Sequence, residues 1–199
     1  MTISPNPTRS VNPSKDSVAA LAAVPDHSPI GMLNLLRYAD AAAYRRYTDV
    51  AAGCVGGVGG SAIFMGAVST SDEPWDTAIL VYYPRRAAFI EMQKDPAYIG
   101  AIPDRTEGLA ARMLYPFALP EMSGAEAAER CLIDRGNSLT LQVRRWADAI
   151  AHGENDSLFA LPAGGPGLVS DGRWDELIVS STTIEASAAE ALLTMVVAQ

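Results

Sequence analysis

The sequence predicts an α+β fold made of two tandem units, each a small sheet with helices on one face. Three observations predict it. Over residues 30–117, short apolar runs and amphipathic stretches alternate in the order β-α-β-β-α-β. A Trp-Asp hairpin occurs twice, at Trp75-Asp76 and at Trp174-Asp175, 99 residues apart in a chain of 199. That length is also too great for one minimal domain and suits one large domain or two small ones.

The N-terminal arm, residues 1–29, is rich in Pro, Ser, Thr and Asn up to Lys15. It then carries a short helical stretch, Ser17 to Val24, stopped by Pro25. Ile30 to Tyr38 is a strand bounded by Pro29 and Asp40, which puts Met32, Asn34 and Leu36 on one face and Leu33, Leu35 and Arg37 on the other. Asp40 is an N-cap for a helix whose apolar stripe is Tyr44, Tyr47, Ala51 and Cys54. That helix is expected to decay through Gly53, Gly56, Gly57, Gly59 and Gly60. Ser61–Val68 and Trp75–Tyr83 form a hairpin. Pro84 opens a helix with Ala88, Phe89 and Met92 inward, and a second helical piece covers Ile99 to Met113. Leu114 to Phe117 closes the unit as its last strand, which completes a ferredoxin-like split βαβ arrangement.

Residues 121–137 read as a linker, helical through Ala125–Cys131. The pattern then restarts. Leu139 to Arg145 alternates like a half-buried strand, and Trp146 to His152 makes one or two helical turns. Leu158–Leu161 and Gly167–Val169 form an interrupted strand, Trp174 to Thr182 another, and Ile184 to Gln199 a closing helix. GAVSTSDEPWDTAIL from Gly66 and GLVSDGRWDELIV from Gly167 share Gly-x-Val-Ser, a polar turn and Trp-Asp. At the same offset Ile79 matches Ile178, Ala87 matches Ala186 and Glu91 matches Glu190. The organisation that follows is arm (1–29), first ferredoxin-like unit (30–120), linker (121–137) and degenerate second unit (138–199), the last without a fourth strand. A four-stranded sheet with helices on one face leaves the other face bare, and a second sheet in the same chain supplies its cover.

The net charge of −8 argues against a nucleic-acid partner. No apolar run reaches the roughly 18 residues of a membrane span, and the arm lacks a signal peptide's apolar core. Cys54 and Cys131 sit in apolar settings without a CxxC pair and are expected as buried free thiols, in keeping with a cytoplasmic protein.

MLNLLRY, AAYRRY, WDTAILVYYPRRAAFIEM, DPAYIGAIPDRTEGL and MLYPF, spread over residues 30–117, resemble the "domain of unknown function 1330" family. The resemblance implies a dimeric α/β-barrel, in which two ferredoxin-like units close their sheets around a pocket. Here the second unit would make the chain a pseudo-dimer, and a homodimer is a further expectation. The wider superfamily includes cofactor-free monooxygenases, isomerases, haem enzymes and stress proteins, so the resemblance implies a menu of activities. Family members often have His-Arg where this chain has Asp104-Arg105, so no general base carries over to that position.

Asn34 is the leading candidate for chemistry. A buried carboxamide needs partners, and it serves either the backbone or a ligand's carbonyl or enolate oxygen, as in cofactor-free oxygenases that pair Asn with Trp. Arg105 and Arg37 are either solvated ion-pair members or anion clamps. Tyr44, Tyr47, Tyr82, Tyr83 and Tyr98, with Met92, are either core or pocket wall. Trp75 and Trp174 are either hairpin anchors or substrate plates. His27 and His152 are isolated, so no metal site and no cofactor is expected. Gly57-Val58-Gly59-Gly60-Ser61-Ala62 fits GxGxxA literally, but it lies between helix and strand, the reverse of a dinucleotide site. The expectation is a small cofactor-free enzyme of oxygenase, isomerase or lyase type acting on an apolar or aromatic carbonyl compound. Asn34 and Arg105 would be catalytic, and Arg37, Tyr44, Trp75, Met92 and Tyr98 would bind substrate. The alternative is a non-catalytic ligand-binding or assembly protein of the same fold.

Overall fold

The structure is a computed structural model that describes residues 10–25, 28–132, 138–151, 157–170, 172–182 and 189–198. After helix α1 (Lys15–Ala22), the first half runs β1 (Ile30–Tyr38), α2 (Ala41–Gly57), β2 (Ser61–Ser71), β3 (Thr77–Tyr83), α3 (Arg86–Met92), α4 (Pro96–Gly108) and β4 (Leu109–Ala118). Helix α5 (Gly124–Leu132) leads to β5 (Leu139–Arg145), β6 (Phe159–Pro162), β7 (Glu176–Ser180) and β8 (Ala191–Ala198). No helix among the described residues is long and apolar enough to cross a membrane.

All eight strands form one antiparallel sheet in the order β4-β1-β3-β2-β8-β5-β7-β6. The two halves join where β2 pairs with β8, from Ala67 opposite Ala198 to Ser71 opposite Met195. At the other end, Leu114 N–H donates to the Val169 carbonyl (2.7 Å), and Leu168 N–H donates back to Leu114 (2.9 Å). Gly164 N–H donates to the Pro116 carbonyl (2.9 Å). The chain beyond β6 therefore bonds to β4, and the two ends of the sheet meet. Closure of this kind removes exposed sheet edges.

Strand alternation sorts the apolar residues into two buried clusters. Leu33 and Leu35 of β1 join Leu80, Tyr115, Leu141, Val143, Leu177 and Val179 in a cluster shared by both halves. Met32 and Leu36 join the inward faces of α2, α3 and α4 in the other. Gly66 permits the β2–β8 junction, since a side chain there would run into the Ala198 carbonyl.

The two Trp-Asp pairs occupy corresponding places. Asp76 accepts the Tyr38 N–H at the end of β1 (2.7 Å) and donates its own N–H to the Leu36 carbonyl (2.8 Å). Asp175 accepts the Trp146 N–H just past β5 (2.8 Å) and donates to the Arg144 carbonyl (2.9 Å).

Several expectations need correction. The closing helix over Ile184–Gln199 is instead strand β8 across Ala191–Ala198, with 184–188 outside the described residues. Its Leu193, Met195 and Val197 alternate inward, and pairing with β5 and β2 overrides the helical propensity of Ala and Leu. The second half thus has its fourth strand. The helix expected to reach Met113 ends at Gly108, because residues 109–113 hydrogen-bond to β1. The residues after Trp146 form a turn, with Ala149 at φ 61°, and Gly167–Val169 lies outside the named strands. Helix α2 continues through its glycines to Gly57.

Candidate functional site

A cavity of about 280 Å³ lies between the outer face of the first-half sheet and helices α2, α3 and α4. It is on the face of β1 opposite the cluster shared by the two halves. Between the two units, where the resemblance implies a pocket, buried side chains of both halves form one cluster. Asp40 and Asp95 set the walls. Asp40 caps α2 through the Ala42 and Ala43 N–H groups (2.8 and 3.2 Å), turning Tyr44, Tyr47 and Ala51 toward the sheet. Asp95 caps α4 through Ala97 and Tyr98 N–H (2.7 and 3.4 Å), which places Tyr98 in its first turn. A side chain at Gly108 would strike the Tyr44 backbone (2.6 Å to its nitrogen), so glycine there lets α4 close against α2. Exposed Ala52, Ala62 and Met65 lie among the lining residues and mark the mouth.

Asn34 and Arg112 form the polar end. The register sets Leu114 opposite Asn34 and Arg112 opposite Leu36, so Arg112 sits diagonally across from Asn34 on one face. Arg112 Nη2 donates to Asn34 Oδ1 at 2.6 Å, and Asn34 Nδ2 donates to the Met32 carbonyl at 3.1 Å. Arg112 Nε and Nη1 are buried and have no hydrogen-bond partner among the described residues. A buried donor left unmet costs about 1–3 kcal/mol, and more when charged.

Tyr47 and Tyr98 form the other polar feature. Arg105, only 1% exposed, lies behind the cavity wall. Its Nη1 donates to the Tyr98 phenol (2.6 Å) and the Tyr47 phenol (3.3 Å), and its Nε donates to Asn12 Oδ1 (2.8 Å). Tyr47 donates to Tyr98 at 3.2 Å. Burial alone would raise the Tyr98 pKa, but the positive charges of Arg105 and Arg112 outweigh it and bring the phenol below its ordinary 10. Burial pushes Tyr44 up to about 12, pushes Tyr83 well above 10 and raises Tyr47.

Of the residues singled out from sequence, Asn34, Tyr44, Met92 and Tyr98 line this cavity together. Arg105 does not line it and holds Tyr47 and Tyr98 from behind. Arg37 is exposed at the end of β1, on the other face from Asn34. Trp75 packs against the cluster shared by the halves. Asp104 and Glu107, close to Arg105 in sequence, turn instead to Arg46 at 2.8 and 3.3 Å. His27 and His152 lie outside the described residues, and both cysteines are buried free thiols. Sequence reasoning missed Arg112 because a helix extended to Met113 gives it no fixed relation to Asn34. The alternation of Arg112, Leu114 and Pro116 against Met113, Tyr115 and Phe117 was the available signal.

No family model and no curated protein matches the chain. Among solved structures it is similar to RPA0582, a protein of unknown function from Rhodopseudomonas palustris. The two are 28% identical over 58% of this chain and 100% of that one, with a TM-score of 0.54. The methylated form of RPA0582 matches at 29% identity over 57% of this chain and 97% of that one, with a TM-score of 0.53. The fold class is α+β, with an eight-stranded antiparallel sheet.

Proposed function

We propose that the protein is a small cofactor-free enzyme acting on an apolar or aromatic carbonyl compound, built as two tandem ferredoxin-like units of the dimeric α/β-barrel kind. Four features support the architecture. The strand orders β4-β1-β3-β2 and β8-β5-β7-β6 are the same within each half. Asp76 and Asp175 make corresponding bonds. All of RPA0582 aligns to just over half of this chain. The motifs of residues 30–117 resemble the domain of unknown function 1330.

One observation carries the functional reading: Arg112, braced by Asn34, keeps unmet donors beside a cavity walled chiefly by apolar and aromatic side chains. Small-molecule sites combine mostly apolar walls with a few placed polar groups in this way. A ligand oxygen accepting from Arg112 would have its developing negative charge stabilised by a fixed cation in a water-poor setting. Tyr98 is the proton carrier, since Arg105 favours its phenolate. Arg105 is a positioning residue, acting through Tyr98 and Tyr47. Binding without turnover is the second reading, and the chiefly apolar wall favours it.

The test uses acetophenone. The ketone raises the melting temperature, and Ala52→Trp, which narrows the mouth, removes that rise. In heavy water, the enzyme reading expects exchange of the acetophenone methyl protons at a rate that Tyr98→Phe abolishes. Stabilisation without exchange leaves the binding reading. Absence of both, with acetophenone and with aryl carboxylates, refutes the cavity as a ligand site.

A further inference from the structure

The electrostatics of this cavity narrow its ligand further. The chain has 23 acidic residues against 15 Lys and Arg, yet among the described residues no Asp or Glu lines the cavity. One guanidinium group lines it, that of Arg112 at the polar end, and a second, that of Arg105, lies behind Tyr98. Among the described residues neither has a carboxylate within ion-pair distance. Arg105 is met by neutral partners, an asparagine oxygen and two phenols. The acids nearest in sequence, Asp104 and Glu107, belong to the surface pair with Arg46. An acidic protein has thus gathered positive charge beside an apolar cavity, with no counter-ion among the described residues. Buried charges are ordinarily paired.

We infer that the ligand supplies the missing charge, and that it is a small carboxylic acid held at its carboxylate by Arg112. This rests on the cavity being the ligand site proposed above. Three points select a carboxylate over other anions. The guanidinium is planar and delocalised, and its donors suit a planar carboxylate. The free donors are few and belong to one side chain, Nε and Nη1 on either side of the Nη2 that Asn34 holds, which suits a single carboxylate at one edge and falls short of a phosphate with three oxygens and a second charge. Every other wall is apolar or aromatic apart from the phenols, Thr48 and Ser61, so the rest of the ligand is hydrocarbon. About 280 Å³ equals the liquid volume of roughly nine waters, enough for one ring with a short acid side chain. The ligand oxygen that accepts from Arg112 in the proposed chemistry would then be a carboxylate oxygen of an aryl or alkyl acid.

Calorimetric titration of the full chain with benzoate, phenylacetate and hexanoate, each against its methyl ester, tests this. Inorganic phosphate is the control anion. At least one acid is expected to bind about tenfold or more tightly than its ester, the scale of one charge-assisted contact. Arg112→Met should abolish that preference while weak ester binding stays, and Arg112→Lys should keep part of it. Should Arg112→Met fail to fold, the acid-to-ester ratio in the wild type and in Arg112→Lys decides. Equal or better binding of the esters overturns the carboxylate assignment and leaves the site standing. A preference that survives in Arg112→Met overturns Arg112 as the anchor. Phosphate competing with the acids at equal concentration overturns the carboxylate class. Failure of every acid, every ester and acetophenone overturns this inference and the proposed function together.

Discussion

Removing both polar partners at the end of the cavity should make the protein more stable. The perturbation is Asn34→Leu with Arg112→Met. In the wild type, Arg112 buries two unmet donors, each costing about 1–3 kcal/mol. Its bond to Asn34 at 2.6 Å is charge-assisted and contributes about 1.5–3 kcal/mol. Asn34→Leu alone loses that bond and strands a further donor, so it should destabilise by about 2 kcal/mol. Arg112→Met alone removes the unmet donors but strands Asn34 Oδ1, and the two effects roughly cancel. The double variant removes the unmet groups of this pair and keeps the branching, because leucine has the heavy-atom skeleton of asparagine and methionine replaces the arginine stem. Buried ionic groups replaced in this way by apolar ones gain about 1–4 kcal/mol. The assay is urea unfolding followed by circular dichroism without ligand, on the wild type, both single variants and the double. Stability should fall, hold and rise across Asn34→Leu, Arg112→Met and the double, the pattern of a site that trades stability for function. A double variant less stable than the wild type by more than about 1 kcal/mol would refute the reasoning. The pair would then be structural and its donors satisfied.

Three further predictions concern the scaffold. Burial holds the Tyr44 phenol at about 12 in the folded chain against its ordinary 10. Its contribution is therefore complete below pH 10 and is lost as pH rises toward 12, to the extent of roughly 2–3 kcal/mol. Tyr47 and Tyr83 act in the same sense and Tyr98 in the opposite one. Urea midpoints at pH 9 and 11.5 should show the fall, with Tyr44→Phe reducing it, and a flat profile would contradict it. Asp175→Ala should cost about 2–3 kcal/mol and Asp76→Ala about 1, because Asp175 is 5% exposed and also pairs with Arg173 at 2.9 Å. Equal losses in chemical denaturation would argue against burial as the cause. Gly66→Ala should destabilise by about 1–3 kcal/mol by pushing β8 off β2, and hydrogen exchange should rise first at Met195–Ala198.

Elements with a strong local signal were legible in the sequence. Ile30–Tyr38, a short apolar run between Pro29 and Asp40, and the alternating Leu139–Arg145 have the strand bounds expected, and Asp40 caps α2. The misread segments are those where propensity and pairing disagree. LAARM at 109–113 and ALLTMVVA at 191–198 are rich in helix formers, yet each lies beside a strand whose backbone needs a partner. The cavity was legible in part. The apolar run of β1 named Asn34, helical spacing named Tyr44 and Met92, and Tyr98 was named only as one of the first-half tyrosines. Arg112 depends on the β1–β4 register, a contact across 78 residues that no local pattern encodes.

The most direct measurement is a methyl NMR titration of methionine-labelled protein with phenylacetate. Met32, Met65 and Met92 line the cavity, whereas Met113 and Met195 lie in the cluster shared by the halves, with Met122 packed against it. The account predicts saturable shifts at Met32, Met65 and Met92, small changes at the other three, and loss of the response in Arg112→Met. Shifts centred on Met113 and Met195 would place the ligand between the halves and contradict the account. So would saturable shifts at Met32, Met65 and Met92 that Arg112→Met leaves unchanged.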